Sequence, residues 1–132
     1  MKIEITTISH DQQRYNTCGD WQFEGEPFGE ERTLSIRVSD MGDARYEFLV
    51  GIHEAIEAFL AVNRLGPDVE KALDIFDMNY EKERKTEDES EPGDSSDCPV
   101  YLEHQIATGI ERILAAHLNV DWKTYDGAVT GL

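Results

Sequence analysis

The order of two hydrophobic periods along the 132 residues predicts an α+β fold. A two-residue alternation occupies short runs within the first 40 positions, as half-buried strands require, and a 3.6-residue spacing occupies most of the remaining chain. Composition agrees: 39% hydrophobic and 30% charged residues make a globular mix, in a chain long enough for one core. The expectation is a single α+β domain over residues 1–132. A small three-stranded antiparallel N-terminal sheet packs against three to four helices.

The strands come first. Ile3 and Ile5 alternate with polar neighbours, and Trp21 and Phe23 do the same after a Cys18-Gly19-Asp20 turn. The cleanest strand is Thr33–Ser39, with Leu34, Ile36 and Val38 on one side and Ser35 and Arg37 on the other. Gly25, Pro27 and Gly29 make residues 24–32 a loop. Antiparallel pairing with one wet face is the natural arrangement for three such strands.

Helices come next. Asp43 caps a helix running to about residue 64, with Phe48, Leu49, Ile52, Ile56, Phe59 and Leu60 in one arc. Gly66 ends it, and Pro67 opens a second helix carrying a thin stripe of Val69, Leu73, Phe76 and Tyr80. Residues 86–97 read TEDESEPGDSSD, six acids without a base, and are expected to form a mobile acidic loop. Pro99 opens a third helix with Leu102, Ile106, Ile110, Ile113 and Leu114 on one face. Asp121 caps a short last helix. The predicted core joins Leu34, Ile36, Val38, Ile52, Ile56, Phe59, Ile106, Ile110 and Leu114.

Twelve basic residues against 28 acidic ones give a net charge of −16. That argues against nucleic acid or an anionic membrane surface as partner, and leaves a cationic protein, a metal or simple solubility as its role. The start, MKIEITTISH, has no apolar run, so no signal peptide or membrane span is expected, and a cytoplasmic location is. Cys18 and Cys98 lack C-x-x-C spacing and are expected to be free thiols.

The first candidate site is His53-Glu54-Ala55-Ile56-Glu57 in the first helix. His53 and Glu57 are four apart, so they share one side, on the shoulder of the apolar arc. The H-E-x-x-H zinc motif uses the same geometry, with the intervening Glu as base; here Glu57 stands in the second histidine's place. A carboxylate is a harder ligand than imidazole, which weakens selectivity for zinc. The third ligand is expected from the third helix, as Glu103 or His104. Glu103 falls inside the apolar arc, where a carboxylate needs a partner or a metal, though its place near the helix start also favours it through the helix dipole with no metal. His104 is placed facing outward with Glu111. The competing reading of His53 is a structural histidine at a helix–sheet junction.

The second candidate is a carboxylate ridge, Glu70, Asp74, Asp77 and Glu81, spaced four, three and four along the second helix. With Glu54 and Glu57 it forms E-x-x-E followed by D-x-x-D, an oxygen-only set that suits Mg²⁺. A solvated acidic face is the alternative.

The segments DMGDARYEFLVGIHEAIEAFL, DIFD, EPGD and EHQIATGIERILAAHLNVDW together resemble a group of small uncharacterised phage and prophage proteins of similar length. The first helix with the strand before it also resembles a minimal zincin. That resemblance implies a zinc-dependent hydrolase with Glu54 as base, and Glu103 matches the later glutamate helix of gluzincins. Glu57 departs from it where a second histidine is required. The ridge resembles the all-α nucleotide pyrophosphatases, from which Asp74 and the β N-terminus depart.

The expected function is therefore a small phage-type accessory protein, in the host cytoplasm if phage-encoded. It carries a divalent metal, zinc by the zincin resemblance, on His53, Glu57 and Glu103 or His104, with Glu54 as general base of a metal-assisted hydrolysis. Two alternatives stand beside it. One is a non-enzymatic acidic inhibitor of a cationic host protein, of the nucleic-acid-mimic type. The other is a Mg²⁺-dependent nucleotide hydrolase using Glu54, Glu57, Asp74 and Asp77.

Overall fold

The structure, a computed structural model, describes residues 1–25, 31–84 and 90–132. The elements are β1 (Lys2–Ile8), β2 (Gly19–Glu24), β3 (Thr33–Ser39), α1 (Ala44–Leu65), α2 (Val69–Glu83), α3 (Tyr101–His117) and α4 (Trp122–Thr130). Single 3₁₀ turns lie at His10–Gln12 and Pro92–Asp94. The class is α+β, with the three strands N-terminal and the four helices after them.

The sheet is mixed rather than wholly antiparallel. Its order is β1-β3-β2; β2 pairs antiparallel with β3, while β1 runs parallel to it, Ile3 opposite Leu34 and Ile5 opposite Ile36. Strand direction is not encoded in a period-two pattern. It is set by the link, and residues 9–18 are long enough to cross the end of β3 instead of turning back as a hairpin. The crossing is pinned on β3: Gln13 Nε2 donates to the Arg37 carbonyl at 3.3 Å and to Ser39 Oγ at 3.1 Å, and Ser39 N donates to the Cys18 carbonyl at 2.8 Å.

Leu34, Ile36 and Val38 are 0% exposed, and they form one apolar cluster with Leu49, Val50, Ala58, Ala61 and Val62 of α1. Asp43 caps α1, accepting from Arg45 N at 2.9 Å, and Gly66 closes it at φ 83°. Gly51 lets α1 approach β1, since a Cβ there would stand 2.9 Å from Ile5 Cγ2. Cys18 and Cys98 are free and buried.

The third helix is oriented differently from its predicted face. Glu103, His104, Ala107, Glu111 and Ala115 are buried, whereas Leu102, Ile106, Ile110 and Ile113 are exposed, Ile113 by 71%. Phe59 of α1 is exposed too, and Ile52, Ile56 and Leu114 are half-buried. Only the β3 part of the predicted core is fully enclosed. The polar residues of α3 turn inward because each finds a partner there, and the two alanines let α1 come close; paired groups tolerate burial that lone ones do not.

Residues 86–89 of the expected mobile loop, and 26–30 of the loop before β3, lie outside the described residues. Residues 90–97 form a turn that packs on α3. Pro92 is buried, and Gly93 lies against the His104 ring, where a Cβ would stand 2.5 Å from Cγ.

Candidate metal centre

Helices α1 and α3 face each other along a seam in which their acidic and imidazole side chains meet. His53 and Glu57, one turn apart on α1, meet His104 of α3. His53 Nε2 lies 3.3 Å from Glu57 Oε2 and 3.1 Å from His104 Nδ1, and His104 Nδ1 lies 2.9 Å from the same Glu57 oxygen. Three ligand-type atoms from buried residues therefore converge on one point.

The outer nitrogens hold this arrangement. His53 Nδ1 donates to Glu111 Oε1 at 2.8 Å, and Glu111 is held in turn by the Tyr125 hydroxyl of α4. His104 Nε2 faces Asp94 Oδ1 at 3.2 Å and Glu91 Oε2 at 3.4 Å. Trp21 Nε1 of β2 donates to Glu57 Oε1 at 3.0 Å, which leaves Oε2 for the two histidines. With protons on the outer nitrogens, both inner nitrogens present lone pairs to a carboxylate oxygen. Three acceptors in contact repel unless a proton or a metal ion lies among them. A carboxylate behind each ligating imidazole is the usual support of a metal-bound histidine.

In the metal-free chain the electrostatics supply the proton. Burial alone would lower His53, but the hydrogen bonds with Glu111 and Glu57 outweigh it and hold the imidazole well above 6.5. His104 is likewise pushed down by burial and carried up to about 10 by Asp94 and Glu57. Burial opposes ionisation of Glu57, yet hydrogen bonds from His104 and His53 hold its carboxyl far below the usual range.

Glu103, the preferred third ligand of the sequence reading, is not in this group. It is buried against Arg64, whose Nε and Nη2 both donate to it, the latter at 2.9 Å. His104 takes the position instead, so the outward placement of His104 and Glu111 is corrected: both are buried and face α1. The antiparallel approach of α3 decides this, since Glu103 meets the C-terminal end of α1 while His104 and Glu111 meet its middle. Glu111 and Tyr125 were missed because their distance in sequence hides their contact. The signal available was spacing: Glu111 lies seven residues after His104, on the same helix side.

A cavity of about 200 Å³ opens beside the cluster. Glu54 lines it and lies against β2, where a Cβ on Gly19 would stand 2.7 Å from Glu54 Oε1. Burial, then the charge of Glu57, hold its carboxyl well above 4.5. Of the predicted ridge, Asp77 also lines the cavity, and burial raises it to about 7. The other three have local partners: Glu70 accepts from Phe23 N at 3.3 Å, Asp74 pairs with Arg14 at 3.3 Å and Glu81 with Arg84 at 3.2 Å. Glu70 and Asp77 thus face β2 and the cavity, while Asp74 and Glu81 are partly exposed and pair with arginines.

Among the described residues, no helix is long and apolar enough to cross a membrane. Comparison of the chain with protein-family models, with curated proteins and with solved structures finds no match.

Proposed function

We propose that this protein is a divalent-metal-dependent hydrolase whose ion is held by His53, Glu57 and His104, with Glu54 as general base. One observation carries the reading: three ligand atoms from two helices lie within 4.8 Å of one another, both imidazoles backed by carboxylates. The donors fit. Ligands about 2.1 Å from a tetrahedral zinc stand roughly 3.4 Å apart, so the spacings of 2.9, 3.1 and 3.3 Å need open by only a few tenths of an ångström. When bound, the ion supplies Lewis acidity.

The chain's own residues supply the rest. Trp21 and Glu111 orient Glu57 and His53, and the 92–94 turn seats His104. Glu54 makes no hydrogen bond among the described residues and lines the cavity, so it is free to take a proton from water and return it to a leaving group. The phage-type setting, and zinc rather than another ion, rest on the sequence resemblances alone.

Elemental analysis after dialysis against Zn²⁺ tests the site. One equivalent is expected, lost in His53→Ala and His104→Ala and retained in Glu54→Gln, which should abolish hydrolysis. No uptake by the folded wild-type chain would rule the reading out. An acidic binding protein would then be the better account.

A further inference from the structure

We infer that the cavity beside the metal cluster receives an organic cation, a substrate with an ammonium or guanidinium head, and not a phosphate or carboxylate compound. The inference rests on the hydrolase reading and names the substrate class of that site. It starts from what lines the cavity. Asp20, Glu54, Glu57, Asp77, Glu91, Asp94, Glu111 and Asp126 all contribute, with two histidines, and no lysine or arginine does so among the described residues.

Most of these acids already have partners. Asp20 accepts from Arg14 at 2.7 Å and from Arg37 at 2.6 Å. Glu57 is met by His53 and His104, Glu111 by His53 and Tyr125, and Glu91 and Asp94 by His104. Asp126 stands at the exposed rim. Two remain inside: the Glu54 and Asp77 side chains make neither hydrogen bond nor ion pair among the described residues. They approach the cavity from α1 and α2. Neither belongs to the converging group of His53, Glu57 and His104.

The walls between the acids are apolar or aromatic, with Tyr15, Trp21, Leu73, Val100 and Trp122 among them. Aromatic rings in a wall that also holds unpaired carboxylates can attract an organic cation twice, through ring quadrupoles and through charge-assisted hydrogen bonds. An anion finds no lysine or arginine in the wall among the described residues, and the two histidines there are already met by carboxylates, whereas recognising phosphate calls for arginine, lysine or clustered backbone N–H donors. At about 200 Å³ the space suits a small head group and a short chain rather than a nucleotide. The same lining argues against the nucleotide-hydrolase alternative.

Trp21 and Trp122 lie in the cavity wall, so their fluorescence reports occupancy. The probes are n-butylguanidinium and n-butylammonium, with n-butylurea as neutral control and n-butyl phosphate and butyrate as anions. Each is titrated into the full chain with and without one equivalent of Zn²⁺. The cations should bind and the anions should not. Glu54→Gln and Asp77→Asn should each weaken the cations by about tenfold or more, as loss of a charge-assisted hydrogen bond implies. Asp126→Asn should weaken them less than twofold, and circular dichroism confirms that each variant is folded. Tighter binding of butyl phosphate than of butylguanidinium, or no cation binding by the folded wild type, overturns the inference while leaving the metal reading intact. Cation binding by a chain that takes up no Zn²⁺ supports the inference and sinks only the metal reading.

Discussion

Toward the sheet, α1 buries Leu49, Val50, Ala58, Ala61 and Val62 in one cluster with Leu34, Ile36 and Val38 of β3. Toward α3 it buries His53 and Glu57 against His104 and Glu111. The same helix therefore has one side packed by shape and another by hydrogen bonds. An apolar contact gains free energy from burial alone, whereas an ionisable cluster must recover its desolvation through every partner it makes. A fold that needed only stability would have filled the seam with Leu and Ile. Instead α3 exposes Leu102, Ile106, Ile110 and Ile113 and buries Glu103 and Glu111, which is the kind of local conflict expected at a functional site.

Four experiments can break or sharpen that contrast. The largest effect belongs to the apolar side. Ile36→Ala should lower the unfolding free energy by about 2–5 kcal/mol in denaturant titrations, because Ile36 is fully enclosed. A loss no larger than that of a surface substitution would mean that the β3–α1 contact does not hold the fold.

On the polar side, Glu111→Gln keeps the shape but removes the charge behind His53. Zn²⁺ affinity should fall by about 10–100-fold in competition with a chromogenic chelator. Unchanged affinity would separate His53 from any metal role.

The third experiment uses pH. In the metal-free protein His104 is raised from 6.5 to about 10, so the folded state holds its proton more tightly than the unfolded one. Its contribution to stability is fully present below pH 6.5 and is lost as pH rises toward 10. The melting temperature should decline across that window, and His104→Gln should flatten the decline. With Zn²⁺ present the stabilisation by metal should instead grow with pH, since protons and metal compete for the same nitrogens. A metal-free profile that rises from pH 6.5 to 10 would contradict the hydrogen bonding of His104.

The smallest effect is expected outside both sides. Ile113 is 71% exposed, so Ile113→Ser should change stability by no more than about 0.5 kcal/mol. A cost of core size would show that the outer face of α3 is covered in solution.

Much of the secondary structure was legible residue by residue. The alternation at Leu34, Ile36 and Val38 named the central strand, and Asp43, Gly66 and Asp121 marked helix ends at the positions observed. His53 and Glu57 were legible as a pair because one helical turn separates them. Local geometry is a function of local sequence, through caps, glycine and hydrophobic period.

Tertiary structure decided everything that joins distant segments. The parallel direction of β1 comes from the path of residues 9–18, which a strand pattern does not carry. The face that α3 turns inward reverses its hydrophobic period. Glu103 finding Arg64, His104 finding Glu57 and Glu111 finding Tyr125 and His53 outweigh exposing Leu102, Ile106, Ile110 and Ile113. No property of residues 101–117 taken alone contains those partners. A hydrophobic period states what a helix gains by burying one face. Only the helices packed against it determine what its polar face gains by being buried instead.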